Sequence, residues 1–197
     1  MKKKFFIIIF LFFGLSQNSN AYSSDPKAFI SEIVNDAKKI LVDTNSKEFK
    51  TKKLSEMALK IVDIKGVGFY SLGKYRKKLN EQQIDQYLDL FEKYFIKSFT
   101  SRLTDYSDPK IDVLSTEVLN PKYTIVKSVL LATDKKPEVK IEWRVYTKNP
   151  DKPLIRDLII EGLSLARTQK EEFASVIETN NGDVTKLFIT LKEFTSK

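Results

Sequence analysis

The order of periodicities predicts an α+β fold. Apolar residues recur at spacings of three and four through the first hundred or so positions, switch to alternation between about 111 and 161, and return to helical spacing near the C-terminus. One segment shows the alternation cleanly. In "EVKIEWRVY" (138–146), Val139, Ile141, Trp143 and Val145 share one side, and Glu138, Lys140, Glu142 and Arg144 share the other. That is a strand of an antiparallel sheet with one apolar and one wetter face. About four such strands are expected, with the helices covering the apolar face.

Each element has a local reason. Asp25 is a good N-cap and Pro26 suits the first helical position. Phe29, Ile30, Ile33, Val34, Ala37, Ile40 and Leu41 then form an amphipathic stripe that "DTNS" (43–46) ends. A second helix is expected from about Ser46 to Lys60, with Phe49, Leu54, Met57, Ala58 and Ile61 apolar. Asp63 caps a third, whose stripe is Ile64, Val67, Gly68, Ser71, Leu72 and Tyr75. Asn80 caps a longer helix, and Gln83 three residues on resembles a capping box. Its stripe, Ile84, Tyr87, Leu88, Phe91, Tyr94, Phe95 and Phe99, is mostly aromatic. "TDYSDPK" (104–110) breaks the helical period. Strands are expected at 111–119, 122–132, 138–146 and 154–161, with Glu161-Gly162 as the turn into the closing helices. Phe173, Val176 and Ile177 mark one of these, ended by "NNG" (180–182). Asp183 caps the other, with Val184, Leu187, Phe188 and Leu191 apolar.

The N-terminus reads as an export signal. Lys2, Lys3 and Lys4 precede "FFIIIFLFF", an apolar run too short to span a membrane, and Ser19 and Ala21 are small where a signal peptidase needs them. Residues 1–21 are therefore expected to be cleaved, leaving 22–197 as a single domain. The chain has no cysteine, so packing alone must hold it and no lipoprotein anchor can form. Of 34 basic residues three leave with the signal, so 31 face 26 acidic ones and the charge falls from +8 to +5. That excess suits an anionic membrane surface or an acidic partner. With no recognition motif beside it, no nucleic acid is expected.

Histidine is also absent. This removes the usual acid/base at neutral pH, the Ser-His and Cys-His nucleophile pairs, and His-containing metal sites. Carboxylates, Lys, Tyr and Arg remain, but none pair in a recognisable spacing. A binding function is favoured, with no catalytic residue, no metal ligand and no cofactor assigned.

"KGVGFYSLGKYRKKLNEQQ" (65–83) poses a separate question. Three of the six glycines, Gly66, Gly68 and Gly73, fall within it, although glycine costs a helix about 1 kcal/mol. Close packing is expected at Gly73 and a turn at Gly66. Gly68 serves either a close neighbour or a cavity.

Two segments resemble the MlaC family of periplasmic phospholipid-binding proteins, also called toluene-tolerance auxiliary proteins. The first is "VDIKGVGFYSLGKYRKKLNEQQIDQYLDLFEKYFIKSFTSRLTDY". Its Asp63, Leu72-Gly73, Tyr75-Arg76, Gln82 or Gln83, Phe91, Phe95, Phe99 and Tyr106 are similar to the family's pattern. The second is "DLIIEGLSLARTQKEEF", where Asp157, Glu161-Gly162, Ser164-Leu165 and Phe173 match a strand-to-helix junction. With "DPKAFI" near the start, the resemblance spans residues 22–197. It departs at Tyr75, Val62 and Gln169-Lys170, where the family often has Trp, an aromatic and Tyr-Arg.

The resemblance implies a fold similar to the NTF2-like cone, with helices on a curved antiparallel sheet around a deep apolar cavity. It implies a monomeric carrier with phospholipid as cargo. That carrier would exchange lipid between an outer-membrane lipoprotein–porin complex and an inner-membrane complex of a lipid-binding ring and an ABC transporter. Burying hydrocarbon is worth about 0.8 kcal/mol per CH₂, so a 16-carbon chain represents roughly 12 kcal/mol that only a matching apolar interior can supply.

The expected lining is Leu72, Tyr75, Phe91, Phe95 and Phe99 from helices and Val129, Leu131, Val139, Ile141, Trp143, Val145, Leu158 and Ile160 from the sheet. Solid core is the alternative for each. Lys74, Arg76, Lys77 and Lys78 are candidates for a headgroup or partner contact, or a solvated cluster that favours the end of its helix. Two other functions stay open. One is an NTF2-like enzyme acting on a small apolar molecule through Asp157, Tyr87 or Tyr94. The other is a periplasmic chaperone. Asp157 itself is read as structural, because two carboxylates four residues apart on a strand do not meet.

Overall fold

The computed structural model describes residues 21–104, 106–134 and 136–196. The expected signal therefore lies outside the described residues, apart from Ala21. The helices are α1 (Pro26–Val42), α2 (Lys47–Ile61), α3 (Ile64–Leu72), α4 (Glu81–Leu103), α5 (Leu165–Thr179) and α6 (Thr185–Ser196), with a 3₁₀ segment at Gly73–Lys78. The strands are β1 (Ile111–Asn120), β2 (Tyr123–Leu130), β3 (Val139–Tyr146), β4 (Leu154–Ile160) and β5 (Leu163–Ser164). The fold is α+β, as expected: six helices on an antiparallel sheet in the order β1-β2-β3-β4-β5. Every connection in the sheet joins sequence neighbours, so no crossover is needed.

The caps act where the residue types predict. Asp25 accepts from the Ala28 N–H, Ser46 from Phe49 and Asp63 from Gly66. Asn80 and Gln83 form the full capping box that starts α4. The one miss is β5. Glu161 and Gly162 both have positive φ (48° and 81°), and Ile160 pairs with Leu163 around them. Two consecutive left-handed residues make a tight two-residue hairpin, not a simple exit to a helix. Ser164 then closes β5 and caps α5 by accepting from the Arg167 N–H.

The register fixes which side chains share a face. Trp143 pairs with Val126 and Leu158, Ile141 with Ser128 and Ile160, and Val145 with Thr124 and Ile155. These form the apolar face. Arg144 pairs with Asp157 and Ile125 on the wetter face. Between Ile155 and Asp157, Arg156 has no partner across the ladder and forms a bulge.

Two cores result. The first is helical: Ile64, Val67, Leu72, Tyr75, Tyr87, Phe91, Phe173, Ile177, Leu187, Phe188 and Leu191 bring α3 to α6 together. The second joins Phe29, Ile30, Ile33, Leu54, Met57 and Ile61 of α1 and α2 to Val126, Val145 and Ile155 of the sheet. Val62, at the α2–α3 junction, packs against both. The chain is pinned there to the sheet, because Val62 bridges Ile155 and the Asp63 N–H donates to the Ile155 carbonyl at 3.0 Å.

Candidate functional site

The apolar face of the sheet is longer than the core that covers it. Val126, Val145 and Ile155 are buried, and Ile111, Val113 and Trp143 pack at the core's margin. Val139, Ile141, Leu158 and Ile160 lie further along the same face. They are half-buried and belong to neither core. Helix α4 runs across the seam between the two cores. Its Phe95 packs on the first core and Phe99 on the second, and the two rings stack with centroids 5.9 Å apart and planes 11° off parallel. Trp143 is held at the margin by its indole N–H, which donates to Ser128 Oγ at 2.8 Å.

The residues expected to line a cavity therefore separate into groups. Phe95, Phe99, Val139, Ile141, Trp143, Leu158 and Ile160 keep partly open apolar surface. Leu72, Tyr75 and Phe91 are buried in the helical core and Val145 in the sheet core. Val129 pairs with Lys140 and so stands on the face opposite Trp143. Leu131 continues past the end of β2, where its N–H donates to the Lys110 carbonyl.

Two concavities stand out among the described residues. A cleft of about 600 Å³ opens where α2 meets α3, lined by Tyr22, Phe29, Leu59, Val62, Ile64 and Leu154 together with Lys60, Lys65, Glu92 and Lys152. A second, of about 350 Å³, lies on the wetter face beside Tyr70, Tyr123, Arg144, Arg156 and Asp157. None of the residues expected to line a lipid cavity borders either one.

Sequence reasoning missed the polar cluster of the wetter face. The bulge turns Arg156 towards α3, where its Nε donates to Asp63 Oδ2 at 2.7 Å and its Nη1 to the Tyr123 hydroxyl at 2.8 Å. Its guanidinium also lies 3.6 Å from the Tyr146 ring centroid. Burial disfavours the Arg156 charge, but the bonds to Tyr123 and Asp63 together outweigh it and raise its pKa. Only the alternation break at "PLIRDLI" signals this bulge in the sequence.

The candidates for catalysis are all engaged internally. Asp157, with a side chain 2 % exposed, accepts from Arg144, from Ser164 Oγ at 2.6 Å and from the Ala166 N–H at 3.0 Å. Tyr87 donates to the Gly68 carbonyl and Tyr94 to Gln169 Oε1. Burial raises the pKa of both hydroxyls. No group of three or more potential metal ligands occurs among the described residues.

The basic cluster is exposed, except for its aromatic member. Tyr75 and Lys74 both donate to Glu178 Oε1, at 2.8 and 3.0 Å, and hold that carboxylate below the usual range. Arg76 stacks on Phe69 with 3.9 Å between guanidinium and ring centroid.

An antiparallel sheet backed by helices, with an apolar face only partly claimed by the core, defines the molecule as an α+β protein. The sequence model of the MlaC family, described as "MlaC protein", matches residues 30–193, and the chain belongs to that family. Among curated proteins there is no match. A similar solved structure is the phospholipid-binding protein from Ralstonia solanacearum in complex with a phospholipid. It shares the fold at a TM-score of 0.72, with 21% identity over 86% of this chain and 96% of that one.

Proposed function

We propose that this chain is a periplasmic phospholipid carrier. The observation that carries the reading is the unclaimed apolar face. Val139, Ile141, Leu158 and Ile160 lie on the core side of the sheet without joining a core. Family membership and the shared fold with a protein solved around a phospholipid support it. Acyl chains seated against these side chains would replace the water that otherwise meets them, at about 25 cal/mol per Å² of apolar surface covered. Carriage needs no nucleophile, metal or cofactor, in keeping with a chain that has neither His nor Cys.

In this reading residues 1–21 direct export and are removed, and 22–197 form one lipid-binding domain that works as a monomer. Its partners are the inner-membrane lipid-binding ring with its ABC transporter and the outer-membrane lipoprotein–porin complex. Solvent extraction of the purified protein, with mass spectrometry of the extract, tests the reading. Phospholipid at close to one per chain is expected, with occupancy falling in Ile141→Asp. A small non-lipid molecule would indicate an enzyme instead, and an empty extract a chaperone.

A further inference from the structure

Between Asp63 and Glu81 the chain has five cations and no acid: Lys65, Lys74, Arg76, Lys77 and Lys78. The fold brings them onto one surface and adds Lys170 from α5, whose ammonium lies 5.2 Å from the Tyr70 ring centroid. Lys65 and Arg76 both lie over Phe69, at 5.9 and 3.9 Å, and Lys74 and Lys78 over Tyr75, at 5.2 and 5.4 Å. Some exposed lysines elsewhere face carboxylates, as in Lys38–Asp108, Lys93–Asp89 and Lys127–Glu117. Here only Lys74 does, through Glu178.

We propose that this cation-rich surface of α3, the 3₁₀ segment and Lys170 of α5, where Glu178 answers only Lys74, is the face by which the protein docks on an anionic lipid bilayer. A cation held over a ring has no counter-charge beside it, whereas one paired with a carboxylate does. The surface therefore presents uncompensated positive charge around a tyrosine that is 46% exposed. That combination suits a headgroup layer, where cations meet diffuse negative charge and an amphipathic ring sits at the boundary. An acidic protein would instead be held by directional ion pairs. The seam lipid site lies elsewhere, so a protein that carries phospholipid but ignores vesicles would refute this proposal alone.

Every described element lies within residues 21–196, so the test uses the chain from Tyr22. Flotation with phosphatidylcholine vesicles, pure or with a third phosphatidylglycerol, is the measurement. Binding is expected only to the anionic vesicles, and to weaken steeply with salt. Lys77→Glu with Lys170→Glu should lower the affinity by at least about 25-fold, from about five-fold per cation. Lys47→Glu with Lys52→Glu, the same charge change on α2, should leave most of it. Unchanged circular dichroism and thermal midpoints check folding, and the salt titration of the unaltered protein needs no variant at all. Three results would each overturn the proposal: no vesicle binding by the unaltered protein, equal loss in both variants, or loss of an acidic protein partner with vesicle binding intact.

Discussion

Tyr87 has no exposed surface, and its ring meets those of Phe91, Phe173 and Phe188. Burial pushes its hydroxyl above the ordinary value of 10.0. The unfolded chain releases that proton near its ordinary pKa while the folded chain keeps it. The contribution to stability is therefore complete below about pH 10 and declines as pH rises, by up to about 1.4 kcal/mol per unit. Tyr87→Phe should cost about 0.5–1.5 kcal/mol at neutral pH, from the lost bond to Gly68, and lose less stability than the unaltered protein towards about pH 11. Urea midpoints at the two pH values would show it. The neighbouring glycines answer the question their clustering raised. A Cβ on Gly68 would stand 2.9 Å from Phe91 Cδ1, so this is a position of close packing. Gly73, expected to be closely packed, is so too: a Cβ there would stand 3.0 Å from Lys170 Cε, and it ends α3 with φ 56°, a conformation that side chains resist. Gly66 lies inside the first turn of α3, where a Cβ would meet the carboxylate of its own cap, Asp63.

At the scale of elements, Asp157 ties β4 to both its neighbours. It compensates Arg144 across β3 and accepts from Ser164 and Ala166 where α5 begins. The Arg144 Nε is buried with no hydrogen-bond partner, so Arg144 depends on this carboxylate. Asp157→Ala should cost about 1–3 kcal/mol, the cost of leaving the Arg144, Ser164 and Ala166 donors without their acceptor, since the Arg144 side chain itself is 34% exposed. Chemical denaturation measures the loss, and amide exchange should locate it first at the start of α5.

At the scale of the molecule, the two cores share little more than Val62, and the Phe95–Phe99 stack spans the seam between them. If the seam holds lipid, bound phospholipid should slow amide exchange at Phe95–Thr100 and at Val139–Trp143 more than in α1. Exchange mass spectrometry of lipid-loaded and stripped protein gives the comparison. Equal protection everywhere would remove the seam as the site.

Spacing and caps alone determined the helices, the four long strands and the face of Trp143. Each rests on contacts within a few residues: Asn80 with Gln83, Asp25 with Ala28, and the alternation of 139–145. Register and packing decided the rest. The face of Val129 depends on its pairing with Lys140, the Arg156 bulge on the β3–β4 ladder, and the fate of each aromatic in α4 on which helix stands opposite. Phe91 and Phe95 read alike in the sequence, yet one is sealed in a core and the other stays half-open at the seam. A stripe shows which residues shun water, but only the distance to the neighbouring element shows whether protein fills the space beside them.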